Sequence, residues 1–373
     1  MINILFSDIP IAVTVGLDHY SFDVVKGQIF NGIIEIIQGL HNIHFQHGGV
    51  RYGYWIHQGS NYYVQYNGDT ESFELKIEED ATKYENILES FKQRGTVVTY
   101  PKTQDGDMWT PLIQYIKWDQ IIKITQSNSP VVFVDSSMTT REENESLRNV
   151  LKNRALKEND GDPRFENNNE PYLEYTLIKL KSKAAIRKGH EMEDYIDKTY
   201  YFNEVIVKEY YNGRLNLYYS ELQFAYMNTI LFGNYGSSLQ WHSMIEVFCF
   251  AKEIRNENGT DNDVVHIIDE ILSQQLTMLP EEYVEMLLNE AMWHKCLLDS
   301  YQGPKLLKTR EIIKKELPHL LRNSQIDHIA NNEMDKGEAE DYIQEDDGIM
   351  LPPIDSDNEE DDGPMVVERL IYR

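Results

Sequence analysis

Between residue 2 and about residue 134, short runs of β-branched and aromatic residues are separated by Gly, Asn and Asp: IAVTVGLDHYSFDV, NIHFQH, RYGYWI, NYYVQY, SFELKI, VVTYP and VVFV. Runs of that length with that punctuation predict the strands of an antiparallel β domain. Two helical patterns interrupt them. EEDATKYENILESFKQRG sets Tyr84, Ile87, Leu88 and Phe91 on one face and stops at Gly95, while TPLIQYIKWDQIIKI places Leu112, Ile116 and Ile121 at near-helical spacing.

The pattern changes at Val134. DSSMTTREENESLRNVLKN offers Ser and Thr caps ahead of Leu147, Val150 and Leu151 and predicts a helix that closes an N-terminal domain at residues 1–152. Residues 153–171 are polar and Asn-rich between Pro163 and Pro171, the composition of a linker. Residues 172–323 read as helical. A strand-like lead, YLEYTLIKL, precedes HEMEDYIDKTYYFNEVIVKEY, LYYSELQFAYMNTILFG, SLQWHSMIEVFCFAKEI, DVVHIIDEILSQQLTML, PEEYVEMLLNEAMWHKCLLDSY and KLLKTREIIKKELPHLL, with Gly233, Gly259, Gly303 and Pro280 between segments. LQFAYMNTILF is apolar on more than one face, which places that helix inside a bundle.

Charge adds a third region. The chain of 373 residues carries a formal charge of −27, and the stretch Glu333–Asp362 holds fourteen carboxylates against Lys336 alone. Such a balance, with no segregated basic patch evident, argues against direct binding of nucleic acid, whose phosphates are held by cations. Residues 324–363 read as a disordered acidic tether. After Gly363 and Pro364, residues 364–373 end the chain with MVVERLIY, a strand pattern with nothing local to pair with. Cys249 and Cys296 are too few for a disulfide framework or a four-ligand zinc site and read as buried thiols of a reducing compartment. The first residues lack a basic leader and no apolar run reaches the length of a membrane span, so a soluble intracellular protein is expected.

Candidate chemistry is sparse. HEMED, residues 190–194, has Asp194 where a zinc protease needs its second His, and reads instead as the acidic first turn of a helix. FGNYGSSLQWH lacks the G-x-S-x-G elbow of a serine nucleophile, and Ser237 or Ser238 reads as a helix N-cap. His44 and His47 are three apart on a strand and face opposite ways, so with His41 and His57 they read as packed or surface histidines. The Tyr-rich strands read as sheet core. No catalytic residue, cofactor or metal is expected. The terminal strand carries the functional reading: Val366, Leu370 and Tyr372 on one side and Val367 and Ile371 on the other would add to an exposed sheet edge of another protein, unless the strand folds back on its own domain.

VGLDHYSF, GLHNIHFQH, RYGYW, FVDSSMTTREEN, HEMEDYIDKTYYFN, ELQFAYMNTILFGNYGSSLQWHSMIE and LPEEYVEMLLNE together resemble the Aar-two splicing factor family. The resemblance implies an N-terminal β-sandwich-like domain followed by an all-α, VHS-like helical domain. It further implies a non-enzymatic assembly chaperone of the U5 small nuclear ribonucleoprotein. Its partner would be the large U5 spliceosomal scaffold protein, held at the RNase H-like and MPN-like domains, with the chaperone a monomer in a hetero-complex found in cytoplasm and nucleus. In fungal relatives the tail adds a strand to that partner. Phosphorylation near the end of the Trp241 helix is thought to switch the family, but residues 244–259 here contain no Ser, Thr or Tyr. A peptide-reading, VHS-like sorting adaptor is the alternative function.

Overall fold

The computed structural model describes residues 1–7, 9–59, 61–101, 107–144, 172–254, 264–280, 283, 289–294, 296 and 305–318. Its strands are, in chain order, β1 (Ile2–Phe6), β2 (Val13–Leu17), β3 (Tyr20–Val24), β4 (Gly32–Ile36), β5 (His41–His47), β6 (Val50–Ile56), β7 (Asn61–Asn67), β8 (Ser72–Ile77), β9 (Val97–Thr99) and β10 (Val131–Asp135). They form two five-stranded sheets, ordered β8-β7-β1-β4-β9 and β10-β6-β5-β2-β3. The second sheet is antiparallel throughout, as expected, whereas the first is mixed, with β1 parallel to β7 and β4 parallel to β9. Parallel neighbours need a long crossover. Helix α1 (Ala81–Arg94) lies on the path to β9 and supplies one.

The two sheets face each other, burying Val15, Leu17, Ile43, Phe45 and Ile56 from one against Ile2, Ile4, Phe6, Tyr62 and Phe73 from the other. On the far side of the mixed sheet, Leu5 and Ile34 meet Tyr84 and Leu88 of α1. Strands β1 and β4 therefore sit in the middle of a sheet covered on both faces. That is why INILF and GIIEI are nearly continuous apolar runs.

The far side of the antiparallel sheet is covered as well. Trp55, Val132 and Val134 point away from the sandwich and join the core of the helices. Across this face runs a row in which His44 of β5 is flanked by Gly16 of β2 and Gly53 of β6. The imidazole needs that absence of side chains: a Cβ on Gly16 would lie 1.8 Å from His44 Nε2. His47, on the other face, meets the Tyr52 hydroxyl at 2.9 Å.

Helices α2 (Trp109–Ile113) and α3 (Trp118–Thr125) replace the single helix expected over TPLIQYIKWDQIIKI. The chain opens between them because the N–H groups of Tyr115 and Lys117 donate to Gln223 Oε1 and Ser220 Oγ rather than to a continuing helix. HEMEDYIDKTYYFNEVIVKEY likewise divides, into α4 (Glu191–Ile196) and a π-helix, Tyr201–Tyr210. Between them Asp197 Oδ1 accepts from Thr199 N–H, Thr199 Oγ1 and Lys252 N–H, a side-chain turn that competes with helix continuation. Of the expected lead YLEYTLIKL, only Leu173 pairs in strand fashion, with Thr140. Thr140 opens the next turn as a capping box: its N–H donates to Glu143 Oε2 at 2.7 Å, and Glu143 N–H donates back to its Oγ1.

Helix α5 (Leu215–Phe232) is the axis of the helical part; all of its residues but Asn216 and Ile230 are buried, as its all-round apolar sequence predicted. Helix α6 (Tyr235–Cys249) packs beside it, and α7 (Val264–Thr277), α8 (Glu290–Trp293) and α9 (Leu307–Glu316) complete the described helices. Both cysteines are buried, and no disulfide joins them. Among the described residues no helix is long and apolar enough to cross a membrane.

Burial, together with the Arg51 charge, lowers the His44 pKa from 6.5 to about 4. The unfolded chain then binds a proton that the fold refuses, so this contribution is complete above pH 6.5 and is lost as pH falls toward 4, by about 3 kcal/mol in all. His41 works the other way. Burial opposes its charge, but the hydrogen bond and charge of Asp18 prevail and raise its pKa. Urea unfolding at pH 7 and pH 4.5 should show the wild-type chain losing more stability on acidification than His44→Gln; equal losses would mean that His44 is not held neutral.

Candidate functional site

The five tail residues Val366, Val367, Leu370, Ile371 and Tyr372 lie outside the described residues, as do the tether 324–363 and the linker 153–171. The other sequence candidates resolve into structural roles. In HEMED, Asp194 is buried and forms a two-pronged pair with Arg187, at 2.6 Å to Nη2, and His190 Nδ1 meets Glu193 at 2.8 Å. Arg187 holds the Asp194 carboxyl below the usual range. His41 is locked between Asp18, at 2.7 Å from Nδ1, and the Ile37 carbonyl, at 2.7 Å from Nε2. Because both partners accept, both ring nitrogens must donate, which makes this histidine an imidazolium. Tyr100 OH donates to the same Asp18 carboxylate at 2.6 Å. Among the described residues no group of three or more His, Cys, Asp and Glu could hold a metal ion.

Ser237 is fully buried, and its place corrects the expected cap. The residue that caps α6 is Asn234, whose Oδ1 accepts from both the N–H and the Oγ of Ser237, at 2.8 and 2.7 Å. The Ser237 hydroxyl also meets Tyr175 OH at 2.8 Å. His242, one turn along, is turned elsewhere: its Nδ1 donates to the Ser238 carbonyl and its Nε2 accepts from Asn289 N–H. Among the described residues no histidine bonds to the Ser237 hydroxyl.

These contacts belong to a longer string. Trp55, on the outer face of the antiparallel sheet, donates its indole N–H to Asn228 Oδ1 at 3.1 Å. Asn228 donates through Nδ2 to Tyr175 OH, Tyr175 meets Ser237, and Ser237 meets Asn234. Asn234 Nδ2 then donates to the carbonyls of Met138 and Asp135, at 2.7 and 3.2 Å, just beyond and at the end of β10. The string thus leaves the sheet at β6, passes through three helical-side elements and returns to the sheet edge. Around it Trp55 stacks on Trp109, with ring centres 6.1 Å apart, and meets Phe224 at 5.5 Å.

Other polar residues of α5 complete the seam. Gln223 accepts from Tyr115 N–H and donates to the Pro111 carbonyl, and Ser220 holds Lys117 N–H. Buried Glu221 accepts from Thr176 N–H and hydroxyl and from Gln240. Burial nevertheless dominates and raises its pKa. A separate tie sits near the sheet edge, where Arg51 Nη1 donates to Tyr283 OH at 2.6 Å and that hydroxyl donates to the Ile230 carbonyl. The block from Glu221 to Glu246, the longest of the motifs singled out in the sequence, is therefore the stretch that joins helices to sheet.

Residues 2–126 match the family model described as the AAR2 N-terminal domain, and residues 175–342 match the AAR2 C-terminal repeat region. Over 330 residues the chain is 42% identical to the A1 cistron-splicing factor AAR2 of Saccharomyces cerevisiae, which covers 86% of this chain and 89% of that protein. The chain belongs to the AAR2 family. In this AAR2-family fold the seam depends on Trp55, Tyr175, Asn228 and Asn234, none of which the sequence reading marked. A signal existed: Asn228, like Ser220, Glu221 and Gln223, is a polar residue in a helix apolar on more than one face, and a polar group in such a place requires a dedicated partner.

Replacing Asn228 by Leu should leave the Trp55 N–H and Tyr175 OH short of partners in the seam and cost about 2–3 kcal/mol. Ser237→Ala should cost about 1 kcal/mol while leaving binding to any partner unchanged at permissive temperature. Chemical denaturation of both variants checks the order, and loss of function in folded Ser237→Ala protein would reopen a nucleophilic role.

Proposed function

We propose that this chain is a pre-mRNA splicing factor that works by binding protein rather than by catalysis, as an assembly chaperone of the U5 small nuclear ribonucleoprotein. The observation that carries this reading is the span of its similarity: 42% identity to a protein named as a splicing factor runs over 86% of the chain.

The partner we assign is the large U5 spliceosomal scaffold protein, engaged at its RNase H-like and MPN-like domains. The hydrogen-bonded seam supports this choice physically. A platform of two firmly joined lobes can hold two domains of a partner at a set separation, and its own geometry costs little to order on binding. Bound across both domains, the chain would deny those surfaces to the spliceosomal helicase and to RNA until release, in cytoplasm and nucleus. The terminal strand, through Val366, Val367, Leu370, Ile371 and Tyr372, would add to a sheet edge of the scaffold, with backbone hydrogen bonds supplying affinity and alternate side chains the register.

Affinity purification of a tagged full-length chain followed by mass spectrometry should recover the U5 scaffold protein as a major partner. Recovery of vesicle-sorting machinery in its place would transfer the protein to the adaptor class. Deleting residues 364–373 should weaken scaffold capture at least tenfold while leaving the thermal midpoint unchanged. Capture equal to that of the intact chain would remove the strand from the mechanism.

A further inference from the structure

The sequence as a whole is acidic, yet residues 175–190 carry Lys179, Lys181, Lys183, Arg187 and Lys188 with no carboxylate. In the fold this segment lies against α4. Lys181 Nζ is 5.9 Å from the centre of the Tyr195 ring, and Lys198 Nζ approaches the same ring to 5.5 Å while bonded to the carbonyls of Leu180 and Asp194. α4 exposes an apolar stripe beside its exposed Glu191 and Glu193: Met192, Tyr195 and Ile196, spaced three and four apart, are 79%, 56% and 50% exposed. The nearby acids are already engaged. Asp194 and Glu193 pair with Arg187 and His190, and Glu191 accepts from Gly189 N–H. No carboxylate among the described residues pairs with Lys183 or Lys188. The result is an exposed apolar stripe with Lys181 beside it, and Lys183 and Lys188, without a carboxylate partner among the described residues, on the same short chain segment.

The chain contains a segment of the inverse character. Glu345, Asp346 and Asp347 precede Ile349-Met350-Leu351-Pro352-Pro353-Ile354, and Asp355, Asp357, Glu359, Glu360, Asp361 and Asp362 follow it. We infer that residues 345–362 of the same chain dock on this patch, with Ile349, Met350, Leu351 and Ile354 on the Met192/Tyr195/Ile196 stripe and the flanking carboxylates on Lys181, Lys183 and Lys188. Charge complementarity selects the occupant, and the tandem prolines favour an extended apolar segment suited to a shallow stripe. Reach is ample: Ile349 lies thirty-one residues beyond Pro318, the last described residue, a span of up to about 100 Å when extended. A folded body of this size has a radius of gyration of only about 20 Å. Tethering gives the acidic segment an effective concentration near the millimolar range, so a contact too weak to survive between separate molecules is populated within one. The docked tether would draw the terminal strand back toward the helical lobe and restrict the strand's search for any other sheet edge.

Zero-length carbodiimide coupling of the full-length protein at low concentration tests this, read by peptide mapping of the monomer band. Amide links from Lys181, Lys183 or Lys188 to carboxylates within 345–362 should exceed links from the exposed Lys26 and Lys76 of the sheet domain at least fivefold. They should fall by a similar factor in 0.5 M salt, where charges are screened within a few ångströms. The same loss is expected in Met192→Ser/Ile196→Ser, which keeps every lysine; an unchanged melting curve excludes unfolding as its cause. Links spread evenly over all exposed lysines, or undiminished in that double variant, would overturn the proposal. So would links confined to a cross-linked dimer, which would assign the patch to the tail of a second copy.

Discussion

Burying an indole N–H costs free energy unless it finds an acceptor, and burying an asparagine costs more unless both ends of its amide are placed. Trp55 and Asn228 satisfy each other across the boundary between sheet and helices, and the rest of the molecule is arranged to allow it. Removing both from water is offset because the other members of the string, Tyr175, Ser237 and Asn234, are bonded as well. Asn228 spends its amine on Tyr175, and the string continues through Ser237 and Asn234 to backbone carbonyls near the end of β10. Such a network tolerates one relative placement of the two lobes. A purely apolar seam of the same area could slide; this one has a register.

That placement also explains why the antiparallel sheet is covered on both faces at β6 and β10. Its inner face completes the sandwich and its outer face, with Trp55, Val132 and Val134, is helical core. The glycines beside His44 belong to the same arrangement, since the ring lies across the sheet where side chains from neighbouring strands would otherwise stand. Charge is distributed on a different principle. The acidic excess is concentrated between Glu333 and Asp362, while the segment 175–190 is purely basic. A net charge for the whole chain conceals both.

Features governed by local chemistry were legible in the sequence. Helix α1 ends at Gly95 and α5 at Gly233, both at φ 66°, where a left-handed residue closes the last turn. The apolar face of α1 and the all-round burial of α5 followed from spacing alone. Features decided by distant partners were not legible. β1 and β4 lack alternation because both faces of their sheet are covered. The helix expected from Thr110 to Ile124 is broken by Gln223 and Ser220, about a hundred residues away, and the segment after Ile196 is turned by Asp197 bonding to Lys252. The choice of Asn234 over Ser237 as cap reflects burial, because the serine hydroxyl was already committed to Tyr175. The terminal strand, chosen from its pattern, belongs to the tail beyond the described fold.

The outer face of the antiparallel sheet has a consequence for biosynthesis. β6 and β10 emerge from the ribosome by Asp135, but the helix that covers them is finished only at Phe232, roughly a hundred residues later. At elongation rates of about 5–20 residues per second, the nascent sandwich presents Trp55, Val132 and Val134 to the cytosol for some five to twenty seconds. A protein proposed to shelter an unfinished assembly thus spends part of its own synthesis with an uncovered apolar sheet, and depends on vectorial timing to close it.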